Sequence, residues 1–264
     1  MYYYISHPQN NDKARKELDA KIKQQLSSKQ IEGEHIEVSH GQGISQAVAQ
    51  AAKNGAKTIV AIGNDNDLSA VVSAVASENT ANIAVGFIPT YKHGSPITNL
   101  LGIHDWKDGI AILPARKLHD FSLLKAGKNH ILASLTLRAT NEPTPIKCVL
   151  DDKLTIEADG DELTITNLIN QSQPNNKKIA VELTVQKQYQ TKAKESLLHL
   201  PAITGRHSSA QTLFRLQADN LTVSFPDGSL ENLISTSIAS PLTINGDATM
   251  VRMIVKKHRG DQNS

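Results

Sequence analysis

Thr58-Ile59-Val60-Ala61-Ile62 is an apolar run that ends at once in Gly63-Asn64-Asp65-Asn66-Asp67, and Leu68, Val71, Val72 and Val75 follow it at helical spacing. No other feature constrains the fold as strongly. A strand without polar alternation is buried on both faces, the condition of parallel strands covered by helices. Parallel neighbours need long crossovers, which are usually helical. The flanking sequence supplies them. Tyr2 to Ile5 reads as a strand, and Ala14, Leu18, Ile22 and Leu26 form an apolar stripe on a first helix. His35 to Val38 is a second strand; Ile44, Val48 and Ala51 mark a second helix that stops at Asn54-Gly55, residues that tolerate the left-handed conformation. Ile83 to Ile88 is a further buried strand. In the helix after the apolar run, Asp65 or Asp67 is expected to cap the free N–H groups. The order predicts a doubly wound parallel sheet, whose ligands bind at the carboxyl ends of its strands. Gly63 to Asp67 and Pro89 to Pro96 lie there, with Ser95 as a helix cap and Pro96 in the first turn.

After about Asp120 the period changes to two. Short alternating stretches recur at Leu132 to Leu137, Ile146 to Leu150, Leu154 to Glu157, Leu163 to Ile165, Ile179 to Val185, Thr212 to Leu216, Leu221 to Phe225 and Ser237 to Ile244. They predict an antiparallel β domain. Asp159-Gly160 and Asp227-Gly228 have hairpin-turn chemistry. A short helix is expected around Ala193 to Leu198, and Gln171 to Lys178, which contains Pro174, reads as an exposed loop. The expected division is an α/β domain over 1–119 and a β-sandwich-like domain over 120–264, with the last residues packing back on the first.

Composition removes several functions. The 264 residues are 39% hydrophobic and 20% charged, which fits a globular protein, and no apolar run is long enough to span a membrane as a helix. Lys and Arg number 28 against 26 acidic residues, so the net charge of +2 supplies no field for nucleic acid. Cys148 is the only cysteine, which excludes an internal disulfide and a multi-cysteine zinc site. The ten histidines show no ligand spacing, and Asp159-Gly160-Asp161-Glu162 lacks the alternating ligands of a calcium loop. No metal site is expected. Met1-Tyr2-Tyr3-Tyr4-Ile5 lacks the features of a secretory leader, so a cytoplasmic location is expected.

The order of motifs resembles the diacylglycerol kinase catalytic-domain superfamily, the bacterial lipid kinases and sphingosine kinases. Thr58 to Leu68, continuing into Ala70-Val71-Val72, occupies the place of its buried strand and GGDGT loop. Ala84-Val85-Gly86-Phe87-Ile88-Pro89 and Leu101-Gly102-Ile103 bracket the place of its GTGNDFA loop. Gly205-Arg206-His207, Thr212-Leu213-Phe214-Arg215 and Leu221-Thr222-Val223 resemble its late strand pair, and Asn245-Gly246-Asp247 its DGE loop. The resemblance implies an N-terminal α/β doubly wound sheet plus a C-terminal antiparallel β-rich domain, as in diacylglycerol kinase and NAD kinase. It also implies ATP as the nucleotide, bound in a cleft between domains, and transfer of its γ-phosphate to a lipid hydroxyl. Such transfer relies on phosphate positioning, Mg²⁺ and a base near the acceptor.

Those parts have changed. The first loop keeps Gly63 and Asp65 but carries Asn64, Asn66 and Asp67, with Asp67 placing a negative charge where phosphate would lie. Thr90-Tyr91-Lys92-His93-Gly94-Ser95-Pro96 contains nothing of GTGND and is about one residue longer than the family pattern. Asn175-Asn176-Lys177-Lys178 stands where the family has acidic magnesium ligands, so Mg²⁺ should bind poorly. By resemblance, Gly63, Asn64, Asp65, Asn66, Asp67, Thr90, Lys92 and His93 are the nucleotide-binding candidates, and Asp65 and Asp247 the catalytic ones. Each has a plainer alternative: a helix cap for Asp65, a turn for Asp247, a solvated loop for Lys92 and His93. Lys256-Lys257-His258-Arg259 could touch an anionic membrane surface or form a solvated tail. Two functions remain open, an ATP-dependent lipid kinase and a pseudokinase that binds a nucleotide, another small anion or a protein partner.

Overall fold

The computed structural model describes residues 1–6, 13–38, 42–78, 80, 82–91, 94–127, 129–140, 143–167, 179–190, 206–218, 220–226, 230–232 and 239–256. The chain divides into two compact units, Met1–Ala133 with Asp247–Ser264, and Ser134–Gly246.

In the first unit strands and helices alternate as β1 (Tyr2–Ser6), α1 (Lys13–Ser28), β2 (Gly33–Glu37), α2 (Gln42–Lys53), β3 (Thr58–Gly63), α3 (Asp65–Ser77), β4 (Ala84–Pro89), α4 (Pro96–Leu101), α5 (Trp106–Ile112), β5 (Leu118–Ala126) and β6 (Asn129–Ile131). The parallel order is β2-β1-β3-β4. Every residue of β3 and β4 is buried, the reason for their continuous apolar sequence. The α1 stripe is buried only in its second half, at Ile22 and Leu26, while Leu18 is half-buried and Ala14 exposed. Gly55 ends α2 with φ +77°, the conformation its sequence announces. Two helices follow β4: Ser95 and Pro96 start the short α4 as expected, and Asp105, whose side chain accepts the Asp108 N–H, starts α5. Gly109 of α5 permits close packing on β4, since a Cβ there would lie 2.5 Å from the Phe87 carbonyl oxygen.

The second unit contains β7 (Ser134–Ala139), β8 (Thr144–Leu150), β9 (Leu154–Gly160), β10 (Glu162–Asn167), β11 (Ile179–Gln190), β12 (Arg206–Ala218), β13 (Asn220–Ser224) and β14 (Leu230–Asn232). One set pairs in the order β12-β11-β10-β7-β14 and another as β13-β8-β9, all antiparallel. Buried and half-buried residues alternate along β10, as period two requires. The last strand, β15 (Leu242–Ile254), pairs through 242–245 with β13 and through Arg252 and Met253 with β4.

One turn expectation changes. Asp159 and Gly160 are not a hairpin tip: they pair with Pro145 and Thr144 in the β8–β9 ladder, and the chain then moves at Asp161 to the other sheet, where β10 pairs with β7 and β11. The hairpin turn lies earlier, at Asp151 and Asp152, with φ values of 48° and 55° and a 2.9 Å bond from Lys153 N–H to the Leu150 carbonyl. Two successive positive φ values match the twist of a hairpin, and Asp tolerates them better than most residues. Asp227-Gly228, Gln171 to Lys178 and the helix expected around Ala193 to Leu198 lie outside the described residues.

Candidate functional site

The candidate site is the carboxyl end of β3 and β4. Gly63 and Pro89 are register partners, and Thr90 N–H donates to the Gly63 carbonyl at 2.9 Å, so the loops leave the sheet side by side.

The first loop caps itself. The cap of α3 is Asn64, not Asp65 or Asp67 as expected from the sequence: Asn64 Oδ1 accepts Asn66 N–H at 2.9 Å and Asp67 N–H at 3.1 Å. Asp67, buried at 8% exposure, reaches back to accept Asn64 N–H at 2.7 Å and completes a capping box. An aspartate at this position of the loop thus becomes part of the helix start rather than a charge projecting from it. Glycine at 63 is required by this arrangement, because a Cβ there would lie 1.9 Å from Asp67 Oδ2. A helix N-terminus binds phosphate through unpaired N–H groups and its positive dipole end. Here the N–H groups of Asn64, Asn66 and Asp67 are bonded to the loop's own side chains, and two carboxylates stand in the first turn.

Asp65, released from capping, turns to the second loop. Its Oδ1 accepts hydrogen bonds from the Tyr91 hydroxyl and, at 3.0 Å, from the Ser95 hydroxyl. The Ser95 and Tyr91 oxygens are 2.9 Å apart. Ser95 is itself held by a second capping box: its N–H donates to Thr98 Oγ1 at 2.7 Å, and Thr98 N–H donates to Ser95 Oγ at 3.1 Å. Thr98 is fully buried, and the Tyr91 ring packs against the hydrophobic core. Burial, then the hydrogen bond to Asp65, pushes the Tyr91 phenol well above the ordinary tyrosine range, so it is a neutral donor at physiological pH. Sequence reasoning placed Ser95 as a cap but missed Tyr91 and Thr98. Ser-x-x-Thr spacing signals the second capping box, whereas nothing local marks Tyr91.

The other candidates fall elsewhere. Thr90 is half-buried beside Gly63, whereas Lys92 and His93 lie outside the described residues. Asp247 belongs to β15, two residues after the Asn220–Asn245 pair, and its side chain lies outside the described residues. Asn175 to Lys178 and Lys257 to Arg259 do also. Lys256, first of the basic tail residues, is drawn into an ion pair with Asp108 at 3.0 Å. Cys148 is buried in β8, its thiol pushed up to about 11 by burial, which suits a packing residue. Among the described residues no three His, Cys, Asp or Glu side chains gather as metal ligands, and no helix is long and apolar enough to cross a membrane.

The sequence pattern of the diacylglycerol kinase catalytic domain matches residues 2–91. No curated protein sequence matches the chain. Solved structures share its fold. A diacylglycerol kinase from Bacillus anthracis str. Sterne superposes with a TM-score of 0.63 at 12% identity, covering 97% of this chain and 96% of that one. An NAD kinase from Archaeoglobus fulgidus in complex with ATP gives 0.54 at 10% identity, covering 96% and 93%. Yeast NADH kinase complexed with NADH gives 0.51 at 11% identity, covering 100% and 89%. The resemblance to the diacylglycerol kinase catalytic-domain superfamily therefore holds in sequence over residues 2–91, and over nearly the whole chain the fold is the one shared by these diacylglycerol kinase and NAD kinase structures.

Proposed function

We propose that this is a diacylglycerol kinase-like protein that binds a nucleotide at the ends of β3 and β4, with Asp65 as its principal polar contact, and no longer transfers phosphate. The observation that carries the reading is the self-capped first loop: the Asn64, Asn66 and Asp67 N–H groups are engaged by Asn64 and Asp67 side chains. Phosphoryl transfer is mostly positioning and charge neutralisation, and a loop that engages three of its N–H groups with its own side chains and sets two carboxylates in the first turn works against both. Loss of acidic residues at Asn175 and Asn176 acts in the same direction on Mg²⁺. The nucleoside rather than the triphosphate then supplies the affinity.

The second reading, an ATP-dependent lipid kinase acting at a membrane surface, is favoured by the match over residues 2–91 and by retention of Asp65. In that case Asp247 is the proposed base toward the lipid hydroxyl. Thermal unfolding with ATP, adenosine and Mg²⁺, together with transfer of labelled γ-phosphate to diacylglycerol in mixed micelles, separates the two. Non-catalytic binding predicts stabilisation by ATP and adenosine alike, roughly 2.7 kcal/mol at about a hundredfold excess over Kd, with no gain from Mg²⁺ and no labelled lipid. Labelled lipid that disappears in Asp65→Asn would establish the kinase instead.

A further inference from the structure

We infer that Tyr91 and Ser95 are positioning residues for Asp65: two hydroxyls from the loop after β4 hold the carboxylate of the loop after β3 in the orientation from which it meets its ligand. The inference rests on the nucleotide-binding reading above. Among the described residues both hydrogen bonds of Asp65 fall on Oδ1, which leaves Oδ2 for a ligand. The support behind each donor is rigid. Ser95 is clamped by the fully buried Thr98 through two reciprocal backbone bonds, and Pro96 fixes the backbone that follows. Tyr91 is anchored by its ring on the core, and its phenol stays protonated, hence a donor, throughout the physiological range. A functional carboxylate is placed well when its supporting shell is itself locked by packing and hydrogen bonds. Asp65 is available to a ligand because Asn64 and Asp67 have taken over the capping of α3.

The arrangement joins residues 26 and 30 positions apart in the chain, from two loops whose sequences have both left the family pattern. A Tyr91 phenol without Asp65 loses its charged acceptor, and Asp65 without the hydroxyls rotates freely at the helix start. Their coupling is the measurable content of the inference.

The test is a double-mutant cycle on ATP affinity, measured by titration calorimetry, with Tyr91→Phe and Ser95→Ala each made in the wild-type and Asp65→Ala backgrounds. In the wild type each variant should weaken ATP binding roughly tenfold, the loss for misplacing a group that makes one charge-assisted hydrogen bond. In Asp65→Ala the same changes should cost less than about twofold, because their route to the ligand is gone. Ser95→Thr, which keeps the hydroxyl, should restore affinity. Equal losses in both backgrounds, or unchanged affinity of Tyr91→Phe in the wild type, overturn the positioning role. If wild type binds no ATP, the nucleotide reading fails. Unfolding free energies of the same set then show whether the three side chains are coupled as a structural tie only, which also overturns the positioning role. Should Tyr91→Phe fold poorly, Ser95→Ala carries the cycle alone.

Discussion

Replacement of Gly63 by alanine tests the self-capped loop directly. The backbone at 63 is outside the left-handed region, so alanine is conformationally permitted and should gain about 0.4–1 kcal/mol by restricting the unfolded chain. Against that gain stands a collision with one side chain. The new Cβ would lie 1.9, 2.6 and 2.9 Å from Oδ2, Cγ and Cβ of Asp67. The Asp67 carboxylate must swing away and give up the 2.7 Å bond from Asn64 N–H. A hydrogen bond to a charged acceptor contributes about 1.5–3 kcal/mol, so Gly63→Ala should destabilise the protein by about 1–2 kcal/mol net. The decisive measurement repeats the substitution in Asp67→Gly, which removes all three obstructing atoms. There Gly63→Ala should reverse sign and stabilise by up to about 1 kcal/mol. Urea unfolding followed by fluorescence of Trp106, the single tryptophan and part of the first unit's core packing, reads both values. An equal cost in both backgrounds would refute the reasoning, since Gly63 would then be required by something other than Asp67.

Three further outcomes follow from particular contacts. Gly109→Ala should destabilise by roughly 2 kcal/mol or more in the same assay despite the better helix propensity of alanine, because the added Cβ meets the backbone oxygen of Phe87 at 2.5 Å. The raised Tyr91 phenol makes the folded state bind a proton that the unfolded chain releases near pH ~10, so its contribution is complete below that pH and declines above it. Tyr91→Phe should therefore show a shallower alkaline loss of stability in urea titrations between about pH 9 and 11; an unchanged slope would show that neither burial nor Asp65 raises the phenol. Cys148, buried and with its thiol pushed up to about 11, should react with a disulfide reagent at neutral pH more than about a hundredfold more slowly in the native protein than in urea.

Local chemistry determined much of this protein in advance. The uniform apolar runs of 58–62 and 83–88 could be buried only as interior parallel strands, and Ser95-Pro96 and Asn54-Gly55 announced a helix start and a helix stop that formed where they stand. Those signals were legible because each acts within one turn or one strand. Period-two stretches likewise announced β8, β10 and β13, but not which neighbours they would take. Asp159-Gly160 has hairpin composition yet joins two sheets, because the partner edges that decide a ladder come from residues far along the chain. Competition decided the first loop in the same way. Asn64, Asp65 and Asp67 all have capping chemistry; in the folded chain Asn64 and Asp67 form the capping box, and Asp65 bonds instead to Tyr91 and Ser95 from the next strand's loop. Sequence set which residues could bond near Gly63; tertiary structure chose among them, because side chains 26 to 30 positions apart meet only after β3 and β4 have paired.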